Sequence, residues 1–95
     1  MICRQLSFKS TLKIAEDKLQ EYLGCFTVIS DEYNVEISDL ALNETSNALI
    51  LNLMNPVYKD EEIKVSYRGF EGNPIVDIYD RTLQNMVDVK PKYFD

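Results

Sequence analysis

The chain has 95 residues, of which 16 are acidic and 10 basic, for a formal net charge of -6. This length predicts one domain, without room for a second core. The basic residues are scattered singly, which excludes the basic surface patch that binding to a nucleic-acid backbone requires. No apolar run approaches the roughly 18 residues that span a bilayer.

The first predicted element is a strand over residues 2–9, in which apolar residues alternate weakly. The charges of Arg4 and Lys9 predict an edge strand, because they discourage pairing with an outside strand. Residues 14–23 then change to helical spacing, with acidic residues early in the run. They predict a short helix or helical turn, which we interpret as a crossover covering one end of a sandwich, since its polar face is too mixed for a membrane helix.

The middle of the chain predicts further strands. Residues 25–30 are β-branched and aromatic, and residues 31–34 form a turn. In residues 35–42 the apolar parity slips, which requires either a bulge near Ser38 and Asp39 or a break there. Five polar residues, 43–47, predict a hairpin loop.

Residues 48–69 carry the clearest pattern. Apolar residues on both faces of 48–54 predict a central strand, which Asn55 and Pro56 are expected to stop, because proline cannot donate to a β-ladder. Perfect alternation in 63–68 predicts a half-buried strand. The connection of about eight residues between them suits a crossing between two sheets better than a tight hairpin.

The last quarter of the chain is less regular. Residues 70–74 read as a loop, and residues 75–83 mix apolar anchors with turn formers. A final strand carries Val87, Val89 and Tyr93 on one parity, and Pro91 marks an edge position or the end of pairing. The pattern as a whole predicts an all-β fold: an antiparallel sandwich of six or seven strands with one short helix or helical turn near residues 14–23.

The two cysteines, Cys3 and Cys25, fall out of phase with their apolar neighbours. Strand parity therefore predicts that both thiols point away from the core. A disulfide is geometrically allowed if their strands are adjacent, but two cysteines make no disulfide framework and lack the spacing of a zinc site.

Four segments together resemble bacterial immunoglobulin-like repeats, including those of the SwmB type in long surface proteins. These are F-T-V at 26–28, L-I-L-N-L-M-N-P-V at 49–57, K-D-E-E-I-K-V-S-Y at 59–67 and N-P-I-V-D at 73–77. The resemblance covers residues 26 to about 87 and implies a secreted or cell-surface module that carries no shared catalytic residues. Where the family has Gly-Asn, this chain has Asp80 and Arg81, so we expect a non-glycine residue in a left-handed turn.

Catalytic chemistry has little basis in this sequence. The absence of histidine excludes His-based triads and His-containing metal sites. Paired carboxylates for glycoside hydrolysis must face each other across about 5 to 10 Å, and a small sandwich with short loops predicts no such cleft. We therefore expect a protein that is not an enzyme.

Two binding sites are candidates. Asp77 and Asp80, with Asn73 and backbone carbonyls, offer oxygen ligands to calcium, although the spacing is not that of an EF-hand and a solvated acidic surface is the simpler interpretation. Tyr58, Phe70 and Tyr79 are candidates for an aromatic platform that binds polysaccharide or a cell-surface glycan. The simpler interpretation is that such loop aromatics plug the ends of the sandwich.

The expected function is that of a non-catalytic immunoglobulin-like spacer, domain-docking or adhesive module whose partners are neighbouring domains of the same chain. The alternative is a carbohydrate-binding module of a polysaccharide-degrading enzyme. The start, M-I-C-R-Q, lacks the apolar core of a signal peptide. The chain is thus expected either to be cytosolic or to be cut from a longer secreted protein, and the resemblance favours an extracellular or cell-surface location.

Overall fold

The computed structural model describes residues 2–43, 45, 47–69, 75–83 and 85–93. It contains two four-stranded antiparallel sheets, which confirms the predicted all-β sandwich. The strands are β1 (Ile2–Lys9), β2 (Phe26–Ser30), β3 (Tyr33–Val35), β4 (Ile37–Asn43), β5 (Ala48–Tyr58), β6 (Ile63–Tyr67), β7 (Met86–Val89) and β8 (Lys92–Tyr93). No helix in the described ranges is long and apolar enough to cross a membrane.

Sheet 1 has the strand order β4-β5-β1-β8, so β5 is central as predicted. The prediction that Asn55 and Pro56 stop this strand is wrong, because β5 continues through both to Tyr58. Pro56 is tolerated because it lies in a bulge: residues 53–56 of β5 face the single residue Arg4 of β1. Proline costs no ladder hydrogen bond at a position where the ladder is already interrupted.

The edge prediction for β1 is also wrong. The strand β8 pairs with β1 at Leu6 and Ser7, so β1 lies between two strands. Arg4 and Lys9 are both exposed, Arg4 opposite the β5 bulge and Lys9 at the last position of β1, so their charges are compatible with an interior strand. At the opposite side of sheet 1, the pairs Ile37 with Leu53 and Asp39 with Asn52 confirm the bulge predicted near Ser38.

Sheet 2 has the order β3-β2-β6-β7. A two-residue turn joins β2 to β3, and both its residues have positive φ, 45° at Asp31 and 79° at Glu32. This sign pattern is that of a type I′ turn, whose twist matches the twist of the paired strands. Glu32 occupies the position where glycine is preferred, because a Cβ is unfavourable at that φ.

The connections between the sheets define the topology. Residues 59–62 carry the chain from β5 in sheet 1 to β6 in sheet 2, which confirms the predicted crossing. In immunoglobulin notation, β1 to β7 occupy the positions of strands B, C, C′, D, E, F and G. The last strand, β8, lies beside β1, where strand A stands in an immunoglobulin domain. Pro91 precedes it and marks the end of the β7 pairing.

The predicted helix near residues 14–23 is confirmed as one α-helical turn, α1 (Glu16–Leu19), followed by a 3₁₀ helix (Gln20–Cys25). This helical segment packs beside β4. Leu19 is buried in the same apolar cluster as Leu40 of β4 and Val28 of β2. The segment therefore covers the edge of sheet 1 where the chain passes to sheet 2.

The prediction that both cysteines point away from the core is wrong. Cys3 is 1% exposed and Cys25 is 5% exposed, and both belong to the core cluster. The pairing of β1 with β5 is irregular between Cys3 and Gln5, opposite the β5 bulge, and side-chain parity shifts there, since Cys3 and Leu6 are both buried. Cys25 ends the 3₁₀ helix, where strand parity does not apply. Both residues are thiols, and no disulfide joins them.

Candidate functional site

The candidate site is the loop formed by residues 75–83, at the end of the sandwich where β6 terminates. Ile75 is fully buried, and its N–H donates to the hydroxyl of Tyr67 on β6 at 2.7 Å. The loop returns on itself, because Leu83 N–H donates to Ile75 C=O at 3.1 Å and Val76 forms a β-bridge with Thr82. The apolar anchor and the bridge hold the loop as a short hairpin-like projection.

Asp77 organises the inside of this loop. Its Oδ1 accepts from the N–H groups of Tyr79 and Arg81, each at 2.9 Å. Its Oδ2 accepts from Lys13 N–H at 3.0 Å and from the Arg81 guanidinium at 2.8 Å. A buried carboxylate needs such partners, because an unpaired charge away from water is costly.

The hydrogen bonds also decide the protonation of Asp77. Burial alone raises its pKa, but the bonds from the N–H groups of Lys13, Arg81 and Tyr79 and from the Arg81 side chain outweigh burial. Together they hold the pKa of Asp77 well below its ordinary value of 3.8, because each bond favours the charged form. The carboxylate is therefore ionised over the whole range in which proteins normally work.

Asp80 has a φ of 60°, so the prediction of a non-glycine residue in the left-handed region at this turn is confirmed. Aspartate is among the residues that adopt this conformation most readily. The turn is closed by Asp80 N–H donating to Asp77 C=O at 3.1 Å, and by Asp77 N–H donating to Arg81 C=O at 2.9 Å.

The loop is tied to the segment that follows β1. The Arg81 guanidinium donates to Thr11 C=O at 2.7 Å, and Ile78 N–H donates to Lys13 C=O at 3.1 Å. The guanidinium carbon of Arg81 also lies 5.3 Å from the centre of the Tyr79 ring, a distance at which the cation and the ring attract each other. Both flanks of the loop are thereby restrained.

This hydrogen-bonded loop exposes large apolar side chains. Ile78 is 70% exposed and Tyr79 is 66% exposed, and Val76 is also exposed. Val76 and Ile78 alternate with the buried Ile75 and Asp77, so the two apolar residues face outward because their neighbours face inward. The outcome is an apolar tip, defined as Val76, Ile78 and Tyr79, on a backbone that other residues hold in place.

The predicted aromatic platform is only partly assembled. Tyr58 is 57% exposed and lies opposite Ile2 at the start of β1, whereas the loop with Tyr79 is bonded to residues beyond the other end of β1. An eight-residue strand separates the two ends by roughly 25 Å. Tyr58 and Tyr79 therefore do not share one surface, and Phe70 lies outside the described residues.

The structure places Asp77 and Asp80 in the same loop but gives them different surroundings. The oxygens of Asp77 already accept four hydrogen bonds, three from backbone N–H groups and one from the Arg81 guanidinium, whereas Asp80 is exposed. The described residues contain no group of three or more Asp, Glu, Cys or His side chains arranged to hold a metal ion. Calcium binding stays a prediction, and the geometry argues against it because Asp77 has little capacity left for a ligand role.

Two residues with structural roles escaped the sequence analysis. Glu61, in the connection between β5 and β6, accepts from the Ser30 hydroxyl at 2.7 Å and from Tyr58 N–H at 2.8 Å. The Ser30 bond, and then the Tyr58 bond, lower the pKa of Glu61. Gln20 bonds to Leu40 through its side chain. The Ser30–Glu61 and Gln20–Leu40 contacts join residues 31 and 20 positions apart, so local patterns carry no signal for them.

The fold and the loop define a two-sheet antiparallel β-sandwich with a braced apolar tip at one end. Comparison of the chain with protein-family models, with curated proteins and with solved structures gives no match.

Proposed function

We propose that this chain is a non-catalytic immunoglobulin-like module that acts as a spacer, domain-docking or adhesive unit in a bacterial secreted or cell-surface multidomain protein. Its partners are neighbouring domains of the same chain. The bacterial and extracellular parts of this proposal rest on the resemblance of residues 26 to about 87. The docking part rests on the apolar tip.

The observation that carries the docking role is the combination of rigidity and exposure in the 75–83 loop. Ile78 and Tyr79 are largely exposed. The bonds of Asp77 and Arg81 hold the backbone that carries these two residues in place. Exposed apolar side chains on a pre-ordered backbone lose little conformational entropy when a partner covers them. A loop of this kind is suited to packing against a neighbouring domain.

The test compares the amide spectrum of the isolated module with that of the same module inside its longer parent chain. Docking predicts shifts in Val76, Ile78, Tyr79 and their immediate neighbours, and predicts that Ile78→Ser abolishes them. Val87→Ser is the matched control, because Val87 is equally exposed but lies on β7. If the amide shifts of the loop are the same in the longer chain, the docking role is contradicted and only the spacer role remains.

The alternative function, carbohydrate binding, is favoured by one specific observation. Tyr79 presents an exposed ring next to the Arg81 guanidinium, and both are held by the Asp77 network. Stacking of a sugar on such a ring requires a flat apolar face with polar neighbours. Titration with a panel of oligosaccharides separates the two functions: amide shifts around Tyr79, lost in Tyr79→Ala, would favour the sugar-binding module.

A further inference from the structure

The side chain of Gln20 forms hydrogen bonds with the backbone of β4 in the way that a neighbouring strand would. Its Nε2 donates to Leu40 C=O at 2.6 Å, and Leu40 N–H donates to its Oε1 at 3.0 Å. Leu40 lies in the middle of β4, and β4 is the outer strand of sheet 1. One carboxamide thus supplies the pair of bonds that a paired strand supplies to a single residue.

These bonds lie on the side of β4 that faces away from β5, which is the outer edge of sheet 1. Leu40 lies opposite Leu51 of β5, yet its N–H and C=O point to Gln20 on the other side. In an antiparallel strand these groups alternate in direction, so the N–H and C=O of Leu42 point the same way as those of Leu40. β4 has seven residues, which is long enough to serve as a template for a further strand.

We propose that Gln20, held in place by the helical segment of residues 16–25, is an edge cap that prevents β4 from pairing with β4 of a second copy of this chain. Leu40 cannot bond to Gln20 and to a new strand through the same two groups. The cap and self-pairing are therefore mutually exclusive.

The residue sequence of β4 is compatible with pairing to β4 of a second copy. Two antiparallel β4 strands centred on Ala41 place Leu40 of one copy opposite Leu42 of the other, which matches the groups that point outward. In that register Asp39 lies opposite Asn43, so like charges do not face each other, and such a clash is what normally disfavours strand pairs. The two Ala41 side chains meet at the centre, where their small size allows close approach.

The test uses the full chain with Gln20→Ala, with Gln20→Glu as a second variant and Glu21→Ala as the control. Glu21 is exposed and adjacent to Gln20, so its removal changes charge and helix context without touching the cap. Gln20→Glu keeps the length of the side chain but loses the donor to Leu40 C=O. Sedimentation velocity at increasing concentration measures association, and hydrogen exchange reports the Leu40 amide.

The expected result is that either Gln20 variant dimerises at least about tenfold more tightly than the parent chain, as the bonds exchanged at the edge imply. The Leu40 amide should exchange faster in the monomer and become protected in the dimer. Adding Ala41→Lys should return the variant to a monomer, because two lysines would then face each other. The proposal is overturned if both folded variants stay as monomeric as the parent, if Glu21→Ala associates equally, or if Ala41→Lys leaves the dimer intact.

Discussion

The buried carboxylate of Asp77 lies 2.8 Å from Nη2 of Arg81, and the same guanidinium donates to Thr11 C=O at 2.7 Å. One side chain of the loop therefore links the inside of the turn to the segment that follows β1. This pair connects the apolar tip to the body of the sandwich. Substitutions at Asp77 should therefore change both the stability of the fold and the conformational order of the tip.

We expect Asp77→Asn to lower the melting temperature by roughly 5–10 °C, because the change removes the negative charge that pairs with Arg81 and puts an amide nitrogen among N–H donors. Thermal unfolding followed by circular dichroism measures the effect. Asp80→Asn is the control, since Asp80 is exposed and asparagine also accepts a positive φ. Equal losses in the two variants would show that the Asp77 network does not stabilise the fold.

The lowered pKa of Asp77 makes stability depend on pH in a defined direction. The folded pKa lies below the ordinary value of 3.8, so in acid the unfolded chain binds a proton that the folded chain does not. This contribution is fully present above about pH 4 and is lost as the pH falls through the folded pKa. Urea midpoints from pH 6 to pH 2 should therefore converge for the parent chain and Asp77→Asn. A gap between them that stays constant with pH would contradict this assignment.

Tyr67→Phe should destabilise the protein by about 1–3 kcal/mol, because the buried Ile75 N–H loses its acceptor. Burial raises the pKa of Tyr67, in keeping with a hydroxyl held away from water. Chemical denaturation measures the change in the free energy of unfolding. Tyr58→Phe, which alters an exposed hydroxyl, should change it by less than about 0.5 kcal/mol.

Glu32→Gly should stabilise the protein by about 1 kcal/mol, because Glu32 has a φ of 79° and the turn would become the favoured Asp-Gly pair of a type I′ hairpin. Glu32→Ala is the matched control: it removes the same carboxylate but keeps the Cβ that causes the strain. A similar gain in both variants would assign the effect to charge and not to backbone conformation.

Addition of a chelator should leave the melting temperature unchanged, because the oxygens of Asp77 are engaged by Lys13, Tyr79 and Arg81. Ligands that bind the folded state raise its apparent stability. A fall in melting temperature with chelator, reversed by calcium, would therefore restore the calcium interpretation of Asp77 and Asp80.

Local patterns predicted much of the fold. The alternation in β6, the two apolar faces of β5 and the parity slip at Ser38 all reappear as predicted, because side-chain parity in a strand depends on near neighbours. The helical period of residues 14–23 was also sufficient to predict the helical segment.

The sequence by itself determined that this protein is a two-sheet β-sandwich, because burial of alternating apolar residues leaves few other solutions. Tertiary structure alone decided the burial of Cys3, the passage of β5 through Pro56 and the pairing of β8 with β1. Each of these depends on a bulge or on strands far apart in the chain. The same holds for Asp77 and Gln20, whose partners, Lys13 and Leu40, become neighbours only when the sheets close.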